Sequence, residues 1–156
     1  MARRDISIGI EMAGMRQFER TLARFERDFI NEVKRIIAET AEMIKSQAQA
    51  LAPVDDDNLM ESIGVYYYKR GLAAEIIVGA HYGIYVEYGT GIYAEGPGGS
   101  RAKKIPWAYP HPDGKRDEKG NLIFIWTNGM KAQPYWAPAM EAGNRHFERE
   151  LNRLGA

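Results

Sequence analysis

Residues 15–50 contain neither proline nor glycine, and their apolar side chains return at the spacing of one helix face. Met15, Phe18, Leu22, Phe25, Phe29, Val33, Ile36, Ile37, Ile44, Ala48 and Leu51 mostly follow at three or four residues, with Thr40 holding the place between Ile37 and Ile44. One helix over this stretch is roughly 50 Å long at 1.5 Å per residue. A domain of 156 residues has a radius of gyration of about 15 Å. Part of the helix must therefore project, bend, with Asp28 the place for a break, or pack against a neighbouring subunit.

Pro53 ends it. Proline has no amide hydrogen for the helical ladder and biases Ala52 away from helical dihedrals, so the helix stops by Leu51 or Ala52. Asp55, Asp56, Asp57 and Asn58 then offer side-chain oxygens to cap a new turn, which predicts a short helix over 57–62. Residues 63–69 and 73–79 are rich in tyrosine and β-branched side chains, with Arg70-Gly71-Leu72 between them, and read as a β-hairpin.

Upstream, Ile6, Ile8, Ile10 and Met12 alternate with Asp5, Ser7, Gly9 and Glu11, which predicts a short strand with one buried face. Downstream, residues 81–89 fit either one helical turn or an irregular edge segment. Residues 89–104, glycine-rich and ending in Arg101-Ala102-Lys103-Lys104, read as a flexible loop. Residues 105–109 and 122–127 predict two more strands, joined across a hydrophilic loop at 113–121. Pro134 and Pro138 precede or open a last helix, where Trp136, Met140, Phe147, Leu151 and Leu154 resume helical spacing and Gly143 costs about 1 kcal/mol relative to alanine. The expected fold class is α+β, a single domain over residues 1–156, with a long N-terminal and a C-terminal helix packed on a small antiparallel sheet.

The chemistry that such a chain can carry is narrow. It has no cysteine, which excludes disulfides, thiolate nucleophiles and Cys-ligated zinc. Twenty-one Lys and Arg balance twenty-one Asp and Glu, so no global field draws it to DNA or anionic lipid. No apolar run approaches the ~20 residues that span a bilayer, and no signal-type core follows Met1, so synthesis and retention in a cytoplasm are expected, without a membrane partner. Gly96-Pro97-Gly98-Gly99-Ser100-Arg101 lacks the Gly-Lys-Ser/Thr ending of a phosphate loop. Asp55-Asp56-Asp57 lacks the alternation of a calcium loop, and His81, His111 and His146 are scattered, so no metal and no cofactor is expected. Ser62 and Ser100 have no nucleophile-elbow context, and no enzyme is expected.

Three segments carry a resemblance. Leu51-Ala52-Pro53-Val54-Asp55 with Asn58-Leu59 and Ser62-Ile63 is the first. Val78-Gly79-Ala80-His81-Tyr82 with Tyr85-Val86-Glu87-Tyr88-Gly89-Thr90 is the second, and Gln133-Pro134-Tyr135-Trp136-Ala137-Pro138-Ala139-Met140 the third. In this order the chain resembles the tail-component family of HK-type siphophages, minor virion proteins of the neck where head meets tail. Family members usually carry Thr-Gly where this chain has Asp56-Asp57, so the turn there is expected to use other dihedrals.

The resemblance implies a noncatalytic ring subunit, commonly sixfold, engaged in tail completion or head–tail joining. Its implied partners are further copies of itself and tail terminator, tail-tube or head-closure proteins; its implied place is the virion, after assembly in the host cytoplasm. Tyr85, Glu87, Tyr88, Thr90, Tyr135 and Trp136 are the contact residues that it suggests. The alternative is a nucleic-acid-binding module, or a DNA-facing lumen, using Arg101, Lys103 and Lys104 beside Trp107 and Tyr109.

Overall fold

The structure, a computed structural model, describes residues 5–53, 57–100 and 102–156. Helix α1 (Asp5–Leu51) occupies 47 residues, roughly 70 Å. The strand expected at 6–12 is the start of this helix instead. Each residue added to a helix gains a hydrogen bond within its own segment, whereas a strand needs a partner, and neither sheet among the described residues has a third strand to pair with it. The other end is where the sequence places it: α1 closes at Leu51, with one further bond from the Ala52 amide to the Ala48 carbonyl, 3.0 Å.

Helix α2 (Asp57–Glu61) follows and is tied back to α1 by Gln49, whose amide donates to the Met60 carbonyl at 3.0 Å. Asp55 and Asp56, assigned to capping on sequence, lie outside the described residues. Strands β1 (Ile63–Tyr68) and β2 (Ala73–Val78) pair antiparallel from Ile63↔Val78 to Tyr68↔Ala73. Their connection, Lys69–Gly71, is a tight turn with three consecutive positive φ values, 48°, 58° and 90°.

Helix α3 (Gly83–Tyr88) resolves residues 81–89 in favour of a helical turn. Strands β3 (Trp107–Pro110) and β4 (Phe124–Thr127) pair antiparallel across the long hydrophilic loop. They form a second two-stranded sheet, separate from β1–β2, rather than a continuation of it. Helix α4 (Trp136–Leu154) completes the chain.

Helices α1 and α4 run antiparallel. Gly143 meets Ile44, the Thr40 hydroxyl lies 3.1 Å from His146 Nδ1, and Glu150 comes within 4.0 Å of Arg35. A side chain at 143 would drive its Cβ into Ile44, which explains a glycine inside a helix despite its poor propensity. The core gathers at the C-terminal third of α1, where Ile44, Ala48 and Ala52 meet Leu59, Ile63, Ala80, Val86, Tyr135 and Ala139. Fully burying a side chain such as Leu59 or Ile63 contributes about 1.5–3 kcal/mol. Every element except β3–β4 sends at least one residue near this core.

Candidate functional site

Residues marked by sequence motif on α3 and at the start of α4 come together around one carboxylate. Glu87 is 6% exposed. Its Oε2 accepts from the amides of Tyr135 and Trp136, both at 2.8 Å, and its Oε1 accepts from Ala137 at 3.0 Å. These are among the amides that a helix leaves without partners at its N-terminus. Pro138, the next residue, has no amide to satisfy. No local side chain caps α4, so a carboxylate from another helix does so, its charge aligned with the positive end of the helix dipole.

Tyr135 is 2% exposed. Burial, then the nearby negative charge of Glu87, then Tyr82, push its phenol above the ordinary tyrosine value. Gly83 makes room for it: a Cβ there would stand 2.6 Å from Tyr135 Oη and 3.0 Å from Val78 Cγ1. Gly89 has φ 74°, and a Cβ there would meet the backbone of Ala132 and Met130 at 2.7 Å. Thr90 is bridged to Met130, whose amide donates to Thr90 Oγ1 at 2.9 Å. The motif Tyr85-Val86-Glu87-Tyr88-Gly89-Thr90 is thereby joined to 130–137 on three counts: a cap, a close backbone approach and a bridge.

Of the six residues marked as contacts, Glu87 and Tyr135 lie inside the subunit, while Thr90 and Trp136 are half-buried. Tyr85 and Tyr88 face outward beside Ile84. A cleft of about 380 Å³ runs between this face and Trp136, floored by Val78, Ala80 and Gly83. Lys103 and Lys104 are exposed, and Arg101 lies outside the described residues. Trp107 and Tyr109 are half-buried and packed on each other, ring centres 5.4 Å apart.

No group of three or more His, Cys, Asp or Glu among the described residues is arranged to hold a metal. The histidines are dispersed: His81 lies edge-on to Tyr82, His111 accepts from the Asp113 amide, and His146 meets Thr40. No helix among the described residues is long and apolar enough to cross a membrane.

The sequence spacing did not reveal where apolar surface stays open. Met15, Phe18, Leu22, Phe25 and Phe29 are exposed on α1, as are Phe124 and Trp126 on β4. The available signal was the mismatch between helix length and domain size.

An N-terminal helix, a Pro53 stop, a hairpin and a Glu87 helix in this order can be compared with known families. The family model that matches is described as Bacteriophage HK97-gp10, putative tail-component. Residues 16–89 match this HK97-gp10-like model. No curated protein and no solved structure matches the chain significantly.

The HK97-gp10-like segment takes in most of α1, the first hairpin and α3 with Glu87. The groups that Glu87 caps, and the third motif at 133–140, fall outside it. The family is one of phage tail components, which supports a structural tail protein belonging to a virion.

Proposed function

We propose that this chain is a structural protein of a tailed phage or prophage that assembles as a ring at the head–tail neck, serving tail completion or head–tail connection. The family match over residues 16–89 carries the reading. The architecture agrees with it. A subunit whose main helix outruns its own core, with Tyr85, Tyr88 and Ile84 exposed at a second place, has the unburied apolar surface that association uses. Closed rings require a heterologous contact, in which one patch meets a different patch on the next copy. A sixfold ring would match a sixfold tail tube, and terminator, tube or head-closure proteins would then meet its two faces.

The test is a mass measurement of the purified chain, alone and mixed with tail-tube, terminator and head-closure proteins of the same phage. A discrete oligomer that joins one of them is expected. A persistent monomer that binds none of them sinks the proposal. In particles lacking the protein, micrographs should show heads and tails that fail to join or tails of defective form.

A further inference from the structure

The antiparallel register of the two long helices fixes where α1 loses its cover. Gly143 sits at Ile44, His146 at Thr40 and Glu150 at Arg35, so α4, ending at Leu154, runs out near residue 32 of α1. Residues 15–29 lie beyond that point, with Met15 about 26 Å past it at 1.5 Å per residue. Along that overhang Met15, Phe18, Leu22, Phe25 and Phe29 continue the apolar face that α4 covers further on, and Phe25 is 67% exposed.

The charges around this stripe are sorted. At about 100° per residue, Glu19 and Glu26 flank it on one side and Asp28 on the other, while Arg16, Arg20, Arg24 and Arg27 lie on the far face. Antiparallel pairing of two such overhangs about a twofold axis would set Glu19 of one copy beside Glu26 of the other, carboxylate against carboxylate. The stripe therefore suits a different surface, apolar at its centre and basic at its rim.

The outer face of β3–β4 has that character. Its register places Trp126 opposite Ala108 and Phe124 opposite Pro110, so two large aromatic side chains form a ridge beside a shallow floor. Trp126 is 70% exposed and Phe124 also projects into solvent. Lys103 and Lys104 stand exposed on the segment that leads into β3, Lys115 in the loop between the strands pairs with Asp113 at 3.9 Å, and residues 103–127 hold five basic against three acidic side chains.

We infer that the overhang of α1 in one copy of the chain packs on the outer face of β3–β4 in the next copy, with Phe25 toward Trp126 and Glu19 and Glu26 toward the lysine rim. The contact is heterologous, so it propagates around a ring; it rests on the ring reading and names the surfaces that build it.

The chain has no cysteine, so introduced thiols report without background. Phe25→Cys and Trp126→Cys replace exposed side chains, and unfolding curves matching the parent show that both fold. Each variant alone, treated with a short bis-maleimide, should remain uncrosslinked. An equimolar mixture should give a crosslinked dimer, and the double variant a ladder extending beyond it. Adding Glu26→Lys should lower the crosslinked fraction severalfold. Dimers from Phe25→Cys alone would show self-pairing and overturn the inference. An oligomer of normal mass that gives no 25-to-126 crosslink overturns the contact while leaving the ring standing. A monomeric chain that crosslinks through position 25 only to other virion proteins overturns both.

Discussion

The Glu87 carboxylate and the Tyr135 amide, 48 residues apart in sequence, meet at 2.8 Å and fasten α3 to the start of α4. Two further amides, of Trp136 and Ala137, close on the same carboxylate, so one buried side chain supplies the whole cap of a 19-residue helix. Glu87→Ala leaves these donors without partners and should destabilise the fold by about 3 kcal/mol or more. Glu87→Gln keeps one acceptor oxygen and should lose less, about 1–2 kcal/mol. Urea unfolding of both variants checks the order, and a Glu87→Ala chain as stable as the parent would refute the cap.

Gly143→Ala sets two effects against each other. Alanine gains about 1 kcal/mol in helix propensity, yet its Cβ overlaps Ile44, which is buried and cannot swing away. Overpacking of this kind costs about 1–3 kcal/mol, so a net loss is expected. In an Ile44→Ala background the space opens and the same substitution should turn neutral or favourable. A double-mutant cycle measures the change of sign.

Alkaline pH should weaken the fold through Tyr135. Its phenol is raised above the ordinary value of 10.0 by burial first and by Glu87 second, so the folded chain retains a proton that the unfolded chain has released. The contribution is complete below about pH 10 and is lost as pH rises past that value and through the folded one. Tyr135→Phe should flatten this decline. It should not abolish it, because Tyr67 and Tyr68 are also raised, the first by burial and Glu42, the second by its hydrogen bond to Glu75. Melting temperatures between pH 8 and pH 11 test the slope.

Arg70 sits at φ 58°, in the left-handed region that most side chains avoid at a cost of about 1–2 kcal/mol. Arg70→Asn should raise stability by up to about 1 kcal/mol, because asparagine tolerates this conformation. Arg70→Ile, β-branched, should lower it. Equal stability of the two variants would mean that the turn does not hold these dihedrals.

The parts of the fold legible in sequence are those written locally. Pro53 stops α1, Gly71 serves the hairpin turn, and tyrosine and β-branched side chains mark β1 and β2. The alternation of Ile6, Ile8, Ile10 and Met12 misled, because a period of two over so few residues does not outweigh an uninterrupted helix with no partner strand nearby. Motifs marked Glu87 and Tyr135, but nothing in their spacing says that one caps the helix beginning at the other. That relation depends on how α3 and α4 meet, as does the use of Gly143, whose cost to the helix was visible and whose neighbour Ile44 was not.

The Glu87 cap also bears on how the chain is made. A ribosome delivers α1, the first hairpin and α3 before residue 135 appears, and until then the core lacks Tyr135 and Ala139 while the Glu87 carboxylate has no helix to hold. The nascent chain thus carries a long sticky helix with its seat unfinished, and contacts so distant in sequence form slowly. A chain that stops short of α4 can neither complete this core nor close the Glu87 cap.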